Sequence, residues 1–220
     1  AVREPARGVS AEVTLYGARY SVYVRAALMA LESKGVAYDL VPVDIFSDAD
    51  DLAAYREIHP FGRIPALRDG DFILYETAAI NRYIDEGFLG PRLQPAETQS
   101  RARMTQIMSM TDSYAYRPLV WDVYVERVSN PKEGKPTDEA LIAAALPKAR
   151  IYFKALHYLM GRQAFLADEV PTLADCHAAP VFAYFLETAE GRDVLAEFPR
   201  VASWWSRISA TDAFKRAHEP

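Results

Sequence analysis

The sequence predicts an α/β first half joined to an all-α second half. Two observations carry that prediction. Short β-rich runs fall only before Glu76, and with the helical patterns between them they read βαβ–α–ββα. Past Phe88-Leu89-Gly90-Pro91-Arg92-Leu93-Gln94-Pro95, a linker by its glycine and prolines, strand signals stop and helical periodicity takes over. The chain therefore divides into residues 12–88, a linker at 89–97 and a helical domain at 98–216.

Glu12 to Tyr16 reads as a strand ending at Gly17. Ser21 to Lys34 is a helix by pattern, with Val24, Leu28 and Leu31 on one face and Gly35 as its stop. Val36 to Val43 is β-rich again, so a right-handed βαβ unit with parallel strands is expected. Asp44 to Glu57 is acidic, part loop and part irregular helix. In His59-Pro60-Phe61-Gly62-Arg63-Ile64-Pro65 two prolines stiffen the chain and forbid helix just before either ring. Ala66 and Leu67 then turn at Asp69-Gly70 into Phe72 to Tyr75, a hairpin. Thr77 stands as N-cap of a helix from Ala78 to Ile84.

In the second half, Glu97 to Asn130 is a long helical pattern, and Pro118 should kink it by removing the bond to the Tyr114 carbonyl. Asn130 to Pro136 is a loop, and a helix containing Pro147 spans Asp138 to Met160. Thr172-Leu173-Ala174-Asp175 is a capping box opening the apolar helix through Ala178 to Leu186, and the rest, with Trp204 and Trp205, is helical. Ala1 to Ser10 lacks periodicity and reads as a loose extension.

Composition narrows the function classes. A net charge of −5 and pI near 5.5 argue against nucleic acid or an anionic membrane as partner. No apolar run approaches a membrane span and no secretory leader pattern opens the chain. One cysteine, Cys176, forbids an internal disulfide and fits a cytoplasmic protein. His59, His157, His177 and His218 lack ligand spacing, so no metal site is expected.

The order loop, proline, hairpin, Glu76-Thr77, helix has chemical meaning. A helix N-terminus with a hydroxyl favours an anion, and a carboxylate just before it takes an ammonium. One small zwitterion would satisfy both. This ordered set resembles the glutathione-binding half of the cytosolic glutathione S-transferases: Asn/His-Pro-x-Gly-x-Ile/Val-Pro, a hairpin, then Glu-Ser/Thr. The resemblance implies a thioredoxin-like domain over 12–88, followed by the family's all-helical domain. It also implies a cis Ile64–Pro65 bond, an Ile64 backbone that pairs with the cysteinyl part of glutathione, and a grip by Glu76 and Thr77 on the γ-glutamyl end.

In the serine-using phi and theta classes, an aromatic-Gly ends the first strand, a serine follows four residues later and an arginine eight later. Gly17, Ser21 and Arg25 have that spacing, which makes Ser21 the candidate catalytic residue. Its rivals are Tyr16, Tyr20 and Tyr23, because other classes use a tyrosine near this strand. A glutathione thiol with an ordinary pKa of about 8.5 needs roughly 2.7 kcal/mol of thiolate preference to titrate near 6.5. One charge-assisted hydrogen bond contributes about 1.5–3 kcal/mol. The phi-type pattern departs at Phe46 to Asp51: Asp50 and Asp51 stand where His and Lys would meet the glycine carboxylate, leaving Arg56 or Arg63 for that end.

Tyr114, Arg117, Trp121 and Tyr124 share a helical face, either core packing or a pocket for a flat apolar electrophile with a cation nearby. Cys176, inside the capped helix, reads as a core residue. The resemblance implies a dimeric cytoplasmic glutathione S-transferase, a detoxification-type transferase acting on glutathione and a small apolar electrophile. The alternatives are a ligand-binding or regulatory protein on the same fold without turnover, or a glutathione-dependent isomerase or dehalogenase.

Overall fold

A computed structural model describes residues 13–46 and 49–219. The chain forms two compact units, one running to Arg92 and taking back the residues from Arg216 on, the other spanning Leu93–Lys215. The extension Ala1 to Ser10 lies outside the described residues.

The first unit is built on a sheet ordered β2-β1-β3-β4, made of β1 (Val13–Tyr16), β2 (Tyr38–Val41), β3 (Ala66–Asp69) and β4 (Phe72–Tyr75). β1 and β2 run parallel, with Leu15 opposite Leu40, as a βαβ crossover demands. β3 returns antiparallel to β1 with Leu67 opposite Leu15, and β4 follows by a hairpin closing at the pair Asp69–Phe72. The hairpin turn is therefore Gly70-Asp71, one residue later than the sequence suggested, with Gly70 taking the positive φ of 58°.

Helix α1 (Val22–Lys34) buries Val24, Leu28 and Leu31 and stops at Gly35, left-handed at φ 68°. α2 (Ala49–Arg56) supplies the helical part of the acidic stretch; Asp50 and Asp51 open it, and their side chains lie outside the described residues. α3 (Thr77–Gly87) begins at Thr77, so the N-cap is Glu76 rather than Thr77. The Lys34 ammonium, buried at the end of α1, donates to the Asp85 carbonyl (2.9 Å) and carboxylate (3.2 Å) on α3. In the returning tail Arg19 donates to the Arg216 carbonyl (3.1 Å), and Arg216 to Glu32 (3.2 Å).

The second unit is helical: α4 (Thr98–Met110), a wide π-type helix Thr111–Ser129, the single turn α5 (Asn130–Lys132), α6 (Glu139–Leu159), α7 (Leu173–Phe185), α8 (Ala189–Ala196), α9 (Pro199–Ile208) and the start of α10 (Asp212–Ala217), whose last two residues belong to the first unit. Phe153, Phe182, Phe185, Tyr152 and Trp204 fill its core. Pro118 lies inside the wide helix, which runs on through it. Its missing N–H is absorbed where bonding has shifted to i→i+5, shown at the far end by Asn130 N–H to the Val125 carbonyl. Among the described residues no helix is long and apolar enough to cross a membrane, and no group of side chains could hold a metal ion.

Candidate functional site

The parallel pair β1–β2 delivers the chain to Gly17, whose N–H bonds the Val41 carbonyl (2.9 Å). A side chain here is excluded: an added Cβ would lie 2.4 Å from Val24 Cγ2 and 3.5 Å from Ile64 Cβ. Gly17 thus lets the first turn of α1 and the Ile64 loop close on one point. Ser21 N-caps α1, its N–H bonding the Ala18 carbonyl (3.0 Å). Its Oγ accepts from Val24 N–H at 3.4 Å, a long bond that uses an acceptor lone pair and leaves the hydroxyl proton to be donated. Arg25 braces the turn by donating to the Arg19 carbonyl (2.6 Å). The half-buried hydroxyl therefore sits at the positive end of a helix dipole, and among the described residues no acceptor takes its proton.

Among the rival tyrosines, Tyr20 is engaged, donating to Asp44 (3.1 Å). Burial and that bond push its phenol up to about 12. Tyr16 lies against Tyr55, ring centroids 6.3 Å apart, with the Arg68 guanidinium 6.0 Å from its face.

Across from α1, the segment after α2 is a series of tight turns. Ile58 and His59 N–H both reach the Tyr55 carbonyl (2.9 Å each), and Gly62 N–H reaches that of His59 (2.8 Å). Gly62 is left-handed at φ 59°, and Arg56 lies across it, its Nε 3.5 Å from where a Cβ would stand. Arg63 is exposed, whereas Ile64 and Pro65 are buried and joined by a cis bond. Tyr55 donates its phenol proton to the Arg63 carbonyl (2.7 Å).

Beyond the hairpin, Glu76 holds φ 72° and ψ 113°, outside the small left-handed basin that a non-glycine residue tolerates. Such a conformation costs on the order of 1–3 kcal/mol and marks functional sites. It leaves α3 without a side-chain cap among the described residues, so the first-turn N–H groups and the Thr77 hydroxyl open one anion-favouring end beside the Glu76 carboxylate.

The first turn of α1, capped by Ser21, and Ile64 of the cis pair thus meet at Gly17, while Glu76 and Thr77 follow β4 as the start of α3. Tyr114, Arg117 and Trp121 are exposed on the wide helix of the second unit, and Arg117 pairs with Asp122 at 2.6 Å. That i,i+5 pairing suits the wider turn. Tyr124 instead packs on Tyr184, ring centroids 4.5 Å apart. Cys176 is buried in α7, as expected. Sequence reasoning missed Tyr55 and the burial of His59. The available signal was a tyrosine four residues before a histidine at the end of an amphipathic turn, hidden by the surrounding acids.

Residues 15–92 match the glutathione S-transferase N-terminal domain and residues 113–212 the C-terminal domain of the same family. The chain is 29% identical to glutathione S-transferase F13 of Arabidopsis thaliana, over 91% of this chain and 92% of that one. It is 30% identical to glutathione S-transferase 3 of Zea mays, over 94% and 93%. Among solved structures, it is similar to the theta class glutathione S-transferase of Xanthomonas axonopodis pv. citri with glutathione bound: TM-score 0.80, 28% identity, covering 96% of this chain and 99% of that one.

Proposed function

Because the chain belongs to the glutathione S-transferase family, we propose that it binds glutathione in its first unit and activates the thiol through Ser21 for attack on a small apolar electrophile. The chain is an enzyme, a glutathione S-transferase. The observation that carries the serine reading is the Ser21 hydroxyl: it caps α1 as an acceptor, and no acceptor among the described residues takes its proton. Donation to a sulfur at this helix end favours thiolate over thiol without any covalent serine step.

The rest of the site suits the tripeptide. Ile64 presents its backbone to the cysteinyl residue, Glu76 takes the γ-glutamyl ammonium, and Thr77 with the uncapped α3 N-terminus takes its carboxylate. Arg63, with Arg56 beside it, is the positive charge for the glycine end. Residues 12–88 form the glutathione-binding domain and 98–216 the helical one. Tyr114, Arg117 and Trp121 form the electrophile-facing surface, with Arg117 held by Asp122. We place the enzyme in the cytoplasm as a homodimer, with exposed Phe61 or Phe46 as an aromatic contact; a stable monomer in light scattering at micromolar concentration overturns the dimer.

The test is a pH–rate profile for wild type, Ser21→Ala and Tyr16→Phe with a chloronitrobenzene. Ser21→Ala should lose roughly 10- to 100-fold in rate near neutral pH, about 1.4–2.7 kcal/mol, with glutathione affinity within a few-fold. The loss should shrink as pH rises toward the thiol's own pKa. A large pH-dependent loss in Tyr16→Phe alone overturns the serine assignment. Retention on glutathione resin without conjugation would favour a binding protein over an enzyme of this mechanism.

A further inference from the structure

The peptide unit joining Arg63 to Ile64 is a rigid plane with a carbonyl at one edge and the Ile64 N–H at the opposite one. Its two edges are treated differently. The carbonyl accepts the Tyr55 phenol at 2.7 Å, whereas neither the N–H nor the C=O of Ile64 has a hydrogen bond among the described residues. Whatever fixes the carbonyl edge fixes the direction of the N–H.

Tyr55 is built to do that. It is 6% exposed, in the last turn of α2, and its own carbonyl takes the Ile58 and His59 N–H groups. Its ring is flanked by Tyr16, at 6.3 Å, and by His59, at 6.2 Å. Phenylalanine would keep that packing and lack only the donor. We propose that Tyr55 is a positioning residue for glutathione: its hydroxyl grips the Arg63 carbonyl and thereby aims the Ile64 N–H at the cysteinyl carbonyl of the tripeptide. The donated bond also polarises the peptide, making that N–H a better donor. Burial pushes the phenol well above its ordinary value, so it stays a donor across the working pH range. The inference rests on the reading that Ile64 docks glutathione.

The experiment compares wild type, Tyr55→Phe and Glu76→Ala. Readouts are KM for glutathione, KM for the electrophile, kcat at saturating glutathione, Kd for S-methylglutathione and thermal unfolding. Tyr55→Phe should raise the glutathione KM and the S-methylglutathione Kd together, by about 3- to 10-fold, the worth of one net hydrogen bond. Its kcat should stay within about 2-fold and the electrophile KM should not move. Loss with S-methylglutathione, which carries no thiol proton, separates aiming the backbone from activating sulfur. Unchanged glutathione binding in Tyr55→Phe, with Glu76→Ala weakened, overturns the Tyr55 role and leaves the site reading standing. Unchanged binding in both variants overturns the site reading itself. A parallel rise in both KM values, or loss of folded protein in Tyr55→Phe, makes Tyr55 a general support of the fold and also overturns the proposal.

Discussion

Asp85 in the first unit and Asp175 in the second are both buried carboxylates, but their surroundings differ in kind. Asp85 faces an ammonium, Lys34, whose side chain is itself buried. Asp175 faces neutral donors: the N–H of Leu166 (2.9 Å), the N–H and hydroxyl of Thr172 (2.7 Å each) and the indole N–H of Trp204 (2.7 Å). Burial pushes the Asp175 carboxyl above the ordinary range, against the pull of those bonds. The contrast teaches where a buried charge is replaceable. An ion pair can be removed as a pair and replaced by apolar groups of similar volume. A carboxylate inside a cage of neutral donors has no such exchange, because two of its donors are main-chain N–H groups that no substitution short of proline removes.

Breaking the cage should have the largest effect. Asp175→Leu strands two main-chain N–H groups, a hydroxyl and an indole N–H, and should destabilise by at least about 4 kcal/mol. Urea unfolding, or failure to recover folded protein, checks it; a loss under about 1 kcal/mol would mean the donors find other acceptors. Lys34→Met comes next, with a loss of about 3–5 kcal/mol from the carboxylate left behind. Adding Asp85→Asn should recover part of that loss, and a double-mutant cycle reads the coupling directly. Additive losses would show that the pair is not a unit.

The same contrast explains what the sequence disclosed. Asp175 was legible because a capping box is local, with its two ends three residues apart. The Leu166 and Trp204 donors were not, since each reaches Asp175 from a different segment. Strands, hairpin, Gly17 and the Ser21 cap were likewise legible from short-range chemistry. The wide helix was not: Pro118 signalled a missing bond, but a shift of hydrogen bonding to i→i+5 through the whole stretch has no signature in the side chains. Tyr55 escaped notice because its partner, the Arg63 carbonyl, carries no side-chain signature.

Asn81 on α3 sharpens the comparison from the other side. It is 0% exposed, and neither its amide oxygen nor its nitrogen has a partner among the described residues. With neither counter-charge nor cage, it bears the desolvation cost uncompensated. Asn81→Leu should therefore stabilise by about 1–3 kcal/mol, and each kcal/mol raises Tm by about 2–4 °C in a chain of this size. Calorimetry decides; a fall in Tm would mean that the amide is satisfied in solution.

The smallest expected effect belongs to His59, which meets burial in a third way, by staying neutral. The residue is 2% exposed, its ring 4.7 Å from that of Tyr75, with Tyr55 and Phe61 each 6.2 Å away. Its Nδ1 has no partner among the described residues. Burial pushes the imidazole below its ordinary value, Glu76 and the residue's own backbone draw it back up, and Arg63 lowers it further. Since the folded value lies below the unfolded one, the unfolded chain takes up this proton first as pH falls. The stability tied to the neutral ring is thus whole above about pH 6.5 and drains as pH drops toward the folded value. One proton limits the slope to about 1.4 kcal/mol per pH unit. His59→Asn, polar but without a titration here, should flatten the stability profile between about pH 7 and pH 5 relative to wild type. The other histidines contribute equally to both chains and cancel in the difference. Parallel profiles would mean that His59 takes up its proton in the folded protein as readily as in the unfolded one.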